Sequence, residues 1–128
     1  MSDVPGDLKF LSSHEWVRLN DDGTASIGIS DHAQDLLGDI VFIELPEIGK
    51  EIQASDDVAI VESVKAASDV YAPLSGQIVE VNASLEDQPE KVNDSPYDEG
   101  WFFKIKPIDL AEMDELLPPE RYAEICED

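Results

Sequence analysis

The sequence predicts a mainly β protein with a few short helices. Residues 24–29 place apolar side chains at every second position, at Ala25, Ile27 and Ile29, and this period of two is typical of a half-buried strand. Pro, Gly, Asn and Asp residues separate several further strand-like runs. Helical spacing of apolar residues becomes prominent only from Asp109 onward. The body is therefore expected to be β, with a helical cap at the C-terminal end.

The first elements can be assigned from their boundaries. Residues 16–19 precede the turn-forming segment 20–23, which indicates the partner strand of a hairpin with residues 24–29. A short helix should follow, with Ser30 or Asp31 as its N-cap and Gly38 at its end. The apolar residues predicted for its inward face are Ala33, Leu36 and Leu37.

Later elements have different patterns. Residues 38–45 and 58–64 are so continuously apolar that we expect strands with neither face in solvent. Residues 76–81 and 101–105 give two more strand signals. Near the C-terminus, a second short helix should open on Pro119, because proline is favoured in the first turn.

The length and the charge limit the possible classes of function. With 128 residues, one domain over 1–128 is expected, with a core at about 8–107 and a helical segment at about 109–127. The chain has 30 acidic and 8 basic residues, a formal net charge of −22, so nucleic acid and anionic membranes are unfavourable partners. It lacks a long apolar run and an N-terminal targeting pattern, so we expect a soluble protein of a prokaryotic cytoplasm.

Lys65 is the most informative single residue. It is the only basic residue between Lys50 and Lys91, a stretch that contains nine acids, and apolar segments flank it on both sides. Composition alone is compatible with an ordinary solvated lysine in a turn. The residues by themselves therefore leave its role open.

The segment Glu62–Gly76 resembles the lipoyl-attachment segment of the H protein of the glycine cleavage system. Further segments match that family in order and spacing: Ser13–Val17, Gly28–Gln34, Leu37–Phe42, Val92–Tyr97 and Gly100–Trp101. Biotin carriers usually have methionines on both sides of the modified lysine, where this chain has Val64 and Ala66. The lipoyl domains of 2-oxo acid dehydrogenases lack the segment at Ser13–Val17, so both classes are poorer matches.

The resemblance implies a barrel-sandwich hybrid of two antiparallel sheets, with lipoic acid joined to Lys65 as an amide at the exposed tip of a hairpin. Glu62 and Gly76 are the residues expected to support recognition of the attachment site. Gly76 would also let the chain turn after Pro73–Ser75. The tip itself lacks the residues that usually form a tight hairpin turn.

The activity that the resemblance implies is transport, without catalysis. In glycine catabolism, the lipoyl arm accepts an aminomethyl group at a pyridoxal-phosphate glycine decarboxylase (P protein) and delivers it to a tetrahydrofolate-dependent aminomethyltransferase (T protein). Dihydrolipoamide dehydrogenase (L protein) then reoxidises the arm, and a lipoate ligase or a lipoyl/octanoyl transferase attaches it. The arm raises the effective concentration of its cargo at each partner. Because such a carrier must visit several active sites, we expect a monomer. We expect the acidic surface to steer these encounters.

By the same resemblance, Glu15 and His32 are candidates for contacts to the arm in a cleft. Each also has a simpler interpretation, a surface carboxylate for Glu15 and a first-turn helix residue for His32. No metal site is expected, because the histidines lack the helical His-Glu-x-x-His spacing and the chain has no cysteine pair. Cys126 is interpreted as an incidental thiol on a terminal helix.

Two other functions stay open on the sequence. The first is an H-like relay that passes lipoate to 2-oxo acid dehydrogenases, and the second is an unmodified acidic interaction module. Intact mass spectrometry separates the unmodified module from both lipoylated alternatives. Reconstitution of glycine-dependent CO₂ exchange separates the carrier from the relay.

Overall fold

Two antiparallel sheets form the body of the protein in a computed structural model, which describes residues 6–126. The strands are β1 (Lys9–Phe10), β2 (Glu15–Leu19), β3 (Ala25–Ile29), β4 (Ile40–Glu44), β5 (Glu51–Ile52), β6 (Asp57–Ser63), β7 (Ala67–Tyr71), β8 (Gly76–Val81) and β9 (Phe103–Pro107). One sheet has the order β1-β2-β3-β9-β8-β5 and the other has the order β4-β6-β7. The predicted mainly β class with two antiparallel sheets is confirmed.

The helices are short. They are α1 (Asp31–Leu37), α2 (Ser84–Asp87), α3 (Lys91–Asp94), a 3-10 helix (Leu110–Glu115) and α4 (Pro119–Cys126). Within residues 6–126, none of them combines the length and the apolar character that a bilayer span needs. The predicted absence of a targeting segment and the predicted outer ends of the domain concern residues 1–5 and 127–128, which lie outside the described residues. The extent of the single domain stays a prediction.

The hairpin of β2 and β3 forms where the sequence predicts it. Val17 pairs with Ile27, and Gly23 supplies the turn with a φ of 90°. All five residues of β3 are buried, so the prediction of a half-buried strand is wrong. Its small residues explain the difference, since a Cβ added at Gly28 would lie 2.7 Å from Cζ2 of Trp16. The Trp16 ring therefore covers the face that the pattern assigned to solvent.

Helix α1 begins and ends at the predicted residues. The hydroxyl of Ser30 accepts a hydrogen bond from the backbone N–H of Ala33 at 3.1 Å, and Gly38 ends the helix with a φ of 79°. Leu36 was expected to face inward, but its side chain is 58% exposed. That part of the prediction is wrong, because the helix presents Leu36 to a cleft on the surface rather than to the core.

The expected burial of β4 is also wrong. Val41 is 54% exposed and Phe42 is 47% exposed. Strand β4 lies at the edge of its sheet, and its register against β6 shifts between Ile40 and Phe42. A bulge of this kind disrupts the alternation of faces, which accounts for two neighbouring apolar side chains in solvent.

The C-terminal helix packs on the end of the six-stranded sheet. It begins at Pro119 as predicted, and Tyr122 at its centre is completely buried. The Tyr122 ring stacks on Phe10 with a centroid distance of 4.2 Å. Phe10 and Leu117 exchange two backbone hydrogen bonds, of 2.9 and 2.8 Å, which attach the segment before α4 to β1.

The main core lies between the two sheets, and both sheets contribute buried aliphatic and aromatic side chains to it. Representative members are Ile27, Ile43, Val61, Val70, Ile78, Phe103 and Ile105. A second, smaller core of Leu8, Phe10, Trp16 and Tyr122 lies beneath α4. Burial of this apolar surface is the main term that stabilises the sandwich.

Gly76 lies at a point where β8 and β9 approach too closely for a side chain. A Cβ at Gly76 would lie 2.3 Å from the carbonyl oxygen of Lys106. We expect Gly76→Ala to lower the free energy of unfolding by about 2 kcal/mol or more, because backbone rather than a flexible side chain would have to move. Urea denaturation measures this. As a control, Gly6→Ala should change little, since nothing lies within 4 Å of its added Cβ. Equal stability of the two variants would contradict this explanation.

Candidate functional site

A tight turn joins β6 to β7, and Lys65 lies in it. The Ser63 hydroxyl oxygen accepts hydrogen bonds from the backbone N–H groups of Lys65 and Ala66, both at 3.1 Å. The backbone N–H of Ser63 donates to the carbonyl of Ala66 at 2.8 Å. A serine side chain thus closes the turn. This explains how the tip forms without the glycine or asparagine that hairpin turns usually use.

Lys65 is exposed, and its stem runs along the end of α1. A Cβ built at Gly38 would lie 3.3 Å from Cε of Lys65 and 3.8 Å from Nζ. Beside it, the backbone N–H of Val64 donates to the carbonyl of Asp39 at 3.1 Å, which attaches the turn to the start of β4. Among residues 6–126, Lys65 takes part in none of the ion pairs. Its amine is thus presented to solvent from a fixed backbone.

A cleft of about 140 Å³ lies beside the hairpin. Its walls come from the segment before and into β2, from α1, and from β7, so it lies between the two sheets. Its lining includes the side chains of Ser13, His14, Glu15, Leu36, Leu37 and Asp69. Since Leu37 directly precedes Gly38, Lys65 and the cleft meet at the C-terminal end of α1.

Glu15 is the buried acid of this cleft, with only 1% of its surface exposed. One carboxylate oxygen, Oε1, accepts from the Ser13 hydroxyl at 2.5 Å, and Oε2 accepts from the backbone N–H of Tyr71 at 2.7 Å. Burial raises the pKa of Glu15, and the hydrogen bonds from Ser13 and Tyr71 only partly oppose this effect. The interpretation of Glu15 as a surface carboxylate is therefore wrong.

No cation pairs with Glu15 in the part of the chain that the structure describes. An ionised carboxylate held away from water without a counter-charge is costly, and its two hydrogen bonds offset only part of that cost. A small ammonium group that entered the cleft would supply the missing charge. The site is thus chemically suited to a primary amine.

His32 lies outside the residues that line this cleft. Its ring is 5.0 Å from the ring of His14, measured between centroids. Burial lowers the pKa of His14, and the neighbouring His32 lowers it further. His14 rather than His32 reaches the cleft, and both rings lie close to Cys126. The predicted contact between His32 and an arm in the cleft stays a prediction.

Glu62 and Gly76 occupy different surroundings. Glu62 is exposed one residue before the turn and pairs with Phe42 and Ala67 in the neighbouring strands. Gly76 is buried at the start of β8 and lines another cavity, of about 620 Å³, at the edge formed by β5. Its φ is not in the positive range, so it does not serve as the turn residue that the sequence suggested. Close packing against β9 is the reason for a glycine here.

Besides His14, the polar cleft residues Ser13 and Asp69 were not predicted from the sequence. Ser13 donates to Glu15, and Asp69 adds a second, exposed carboxylate to the wall. The sequence signal for Asp69 is its charge directly before the apolar Val70, because alternation along a strand places the two side chains on opposite faces. Nothing in the chain order indicated that β7 would face the segment before β2.

Comparisons with known proteins agree with one another. The family model for the glycine cleavage H-protein matches residues 8–128. A glycine cleavage system H protein of Psychrobacter cryohalolentis is 57% identical over 122 residues, 95% of this chain and 97% of that protein. One from Teredinibacter turnerae is 55% identical over 128 residues, 100% of this chain and 98% of that protein. The crystal structure of an H protein from Mycobacterium marinum superposes with a TM-score of 0.87 at 39% identity, covering 94% of this chain and 97% of that one.

Proposed function

Because the chain belongs to the glycine cleavage H-protein family, it is a non-catalytic carrier subunit of the glycine cleavage system, and we propose that Lys65 bears its lipoyl group. The family carries lipoate. When attached, this group supplies a disulfide that accepts and releases the aminomethyl cargo. The observation that carries the proposal is the exposed Lys65 amine on a rigid turn between β6 and β7.

The surroundings of Lys65 support its modification. The residues that follow it in the chain, Ala66, Ala67 and Ser68, are small and exposed, so an attaching enzyme can reach the amine. Glu62 lies at the base of the same turn and is the residue we assign to recognition by that enzyme. The Lys65 stem already follows the surface over Gly38 toward the cleft. The lysine nitrogen acts as the nucleophile in amide formation and loses its positive charge.

The cleft is the proposed resting place of the cargo between partners. The primary amine of an aminomethyl group is protonated near neutral pH, and Glu15 offers it a buried carboxylate without a paired cation. Asp69 adds a second negative charge at the wall. The apolar side chains of Leu36 and Leu37 would cover the cargo and limit the access of water. These residues would protect the cargo by charge and by exclusion of solvent.

The partners we propose are the glycine decarboxylase, the aminomethyltransferase, dihydrolipoamide dehydrogenase and the enzyme that attaches lipoate. An exposed apolar surface at Val41, Phe42 and Val64 supports a shared contact, because Val64 adjoins Lys65 and β4 lies beside it. The surrounding acidic surface favours partners with basic rims around their active sites. The relatives named above are bacterial, and a bacterial cytoplasm and a monomeric carrier are part of the proposal.

Intact mass spectrometry tests the attachment site directly. Protein produced in cells with ample lipoate should carry one lipoyl adduct, and peptide mapping should assign it to the peptide that contains Lys65. An adduct on another lysine would overturn the assignment while leaving the family's role intact. An unmodified chain under these conditions would refute the proposal that this protein is lipoylated.

A further inference from the structure

The fold brings all of the histidines and the only cysteine of the chain to one place. The sequence contains two histidines and one cysteine, at positions 14, 32 and 126. Their ligand atoms all lie within 4.8 Å of one another, and each side chain is half-buried. Imidazole nitrogen and thiolate sulfur are the donors that Zn²⁺ prefers in proteins. Residues so far apart in the chain would not be expected to converge without tertiary constraint.

Three separate elements hold the cluster together. His14 lies in the link between β1 and β2 with a φ of 82°, a conformation that is uncommon for a residue with a Cβ. Its carbonyl oxygen accepts from the backbone N–H of Ser30 at 2.8 Å, which fixes this link against the start of α1, where His32 lies. Cys126 is the last residue of α4, so the packing of that helix brings the thiol to the two rings.

A buried tyrosine orients one of the rings. The Tyr122 hydroxyl lies 2.7 Å from Nδ1 of His14 and 2.5 Å from the Ser30 hydroxyl. If Nδ1 donates its proton to this hydroxyl, the neutral ring keeps its lone pair on Nε2, the nitrogen that we assign to the metal. A hydrogen bond from the second ring nitrogen is the usual way in which proteins orient a metal-binding histidine. Tyr122 is itself held by stacking on Phe10, so the support is rigid.

We propose that His14, His32 and Cys126 bind one Zn²⁺ through two imidazole nitrogens and a thiolate, with the fourth position open to water or another small ligand. Cys126 releases its thiol proton to solvent when it binds, so the metal replaces that proton. Tetrahedral Zn²⁺ places such donors about 3.5 Å apart, so a closure of about 1 Å is needed. This goes beyond the carrier role and differs from the expectation that the chain has no metal site, which relied on spacing along the sequence.

The cluster lies between the C-terminal helix and the cleft, so a bound metal ion would affect both. His14 lines the cleft beside Glu15, and Cys126 ends α4. A bound ion would therefore connect the C-terminal helix to a wall of the cleft. We expect Zn²⁺ to raise the midpoint of thermal unfolding, because a ligand that binds only the folded state stabilises it.

Co²⁺ is a suitable spectroscopic probe. The full chain, without an affinity tag and with any lipoyl group kept as its disulfide, should develop a near-ultraviolet thiolate-to-cobalt absorption that saturates at one equivalent. Added Zn²⁺ should displace the cobalt and abolish that absorption. Cys126→Ser should lose the absorption, and His32→Gln should weaken Zn²⁺ binding by about tenfold or more. Zn²⁺ should also slow alkylation of Cys126 in the parent chain.

The matched control is Glu124→Gln on the same helix. Glu124 is exposed, lies two residues from Cys126 and pairs with Arg121, so its loss should leave metal binding unchanged. Circular dichroism verifies the fold of each variant, and the alkylation experiment needs no variant at all. A missing cobalt absorption, equal Zn²⁺ affinity in Cys126→Ser, or alkylation that Zn²⁺ does not slow would overturn the proposal.

Discussion

Lys65→Arg is expected to abolish lipoyl attachment and to reduce glycine-dependent CO₂ exchange with the decarboxylase by about 100-fold or more. The guanidinium cannot form the amide, and a tether contributes to transfer mainly by raising effective concentration. The arginine side chain keeps the positive charge and a similar length, so its aliphatic part can still pack beside Gly38. Intact mass measures the attachment, and exchange of labelled CO₂ into glycine measures the function.

Lys50→Arg is the control for this experiment. Lys50 is exposed in the loop before β5 and is remote in sequence from the β6–β7 turn. This variant should keep both the adduct and the exchange activity. Lys65→Arg itself should unfold at the same denaturant concentration as the parent, because the tip is exposed. Global unfolding of Lys65→Arg, or an adduct that persists in it, would show that the lysine has been misplaced.

Glu15→Gln is expected to shorten the lifetime of the aminomethyl-loaded carrier by about tenfold or more. The substitution keeps the shape of the side chain and an oxygen that can accept from Tyr71, but removes the negative charge that faces the cargo. Charge-assisted hydrogen bonds of this kind are worth about 1.5–3 kcal/mol. The decay of the loaded form, followed by intact mass over time, measures the effect.

The same substitution should not weaken the empty protein. Burial raises the pKa of Glu15 in the folded state above its value in the unfolded chain. The contribution of Glu15 to the free energy of unfolding is therefore most favourable at low pH, where the group is protonated in both states. It becomes less favourable as pH rises from the usual carboxyl range through the raised pKa. Glu15→Gln has no carboxyl group to ionise, so it avoids this decrease. Urea denaturation at neutral pH should show that the variant is at least as stable as the parent. Asp35→Asn, an exposed acid of α1, should alter neither property. An unchanged lifetime in Glu15→Gln would exclude Glu15 from the protection of the cargo.

Local signals in the sequence predicted many of the longer elements, but not the two-residue strands β1 and β5 or the one-turn helices α2 and α3. The turn at residues 20–23 and the cap at Ser30 are found where short-range chemistry places them, because both depend on hydrogen bonds between near neighbours. The helix that opens on Pro119 is another example. The resemblance around Lys65 also pointed correctly to the sandwich of two sheets.

The features that the sequence did not predict depend on contacts between residues that are distant in the chain. Glu15 is buried and bonded to the backbone of Tyr71 in the other sheet, whereas alternation along a strand gives only the face of a residue and not what covers that face. Val41 and Phe42 are exposed because of a bulge at the sheet edge, and no local sequence signal predicts that bulge. The meeting of His14 with Cys126 needs the docking of α4.

The hydrogen bond between Glu15 and the backbone N–H of Tyr71 crosses from one sheet to the other. The Glu15 carboxylate that would face an ammonium group is thus held by a hydrogen bond that already exists in the empty carrier. Its position is therefore set when the protein folds. A cationic group bound at the Glu15 carboxylate would also change the polarisation of the Tyr71 N–H that donates to it. The Tyr71 amide is therefore a built-in reporter, a single backbone resonance in which occupancy of the cleft can be read without a label on the cargo.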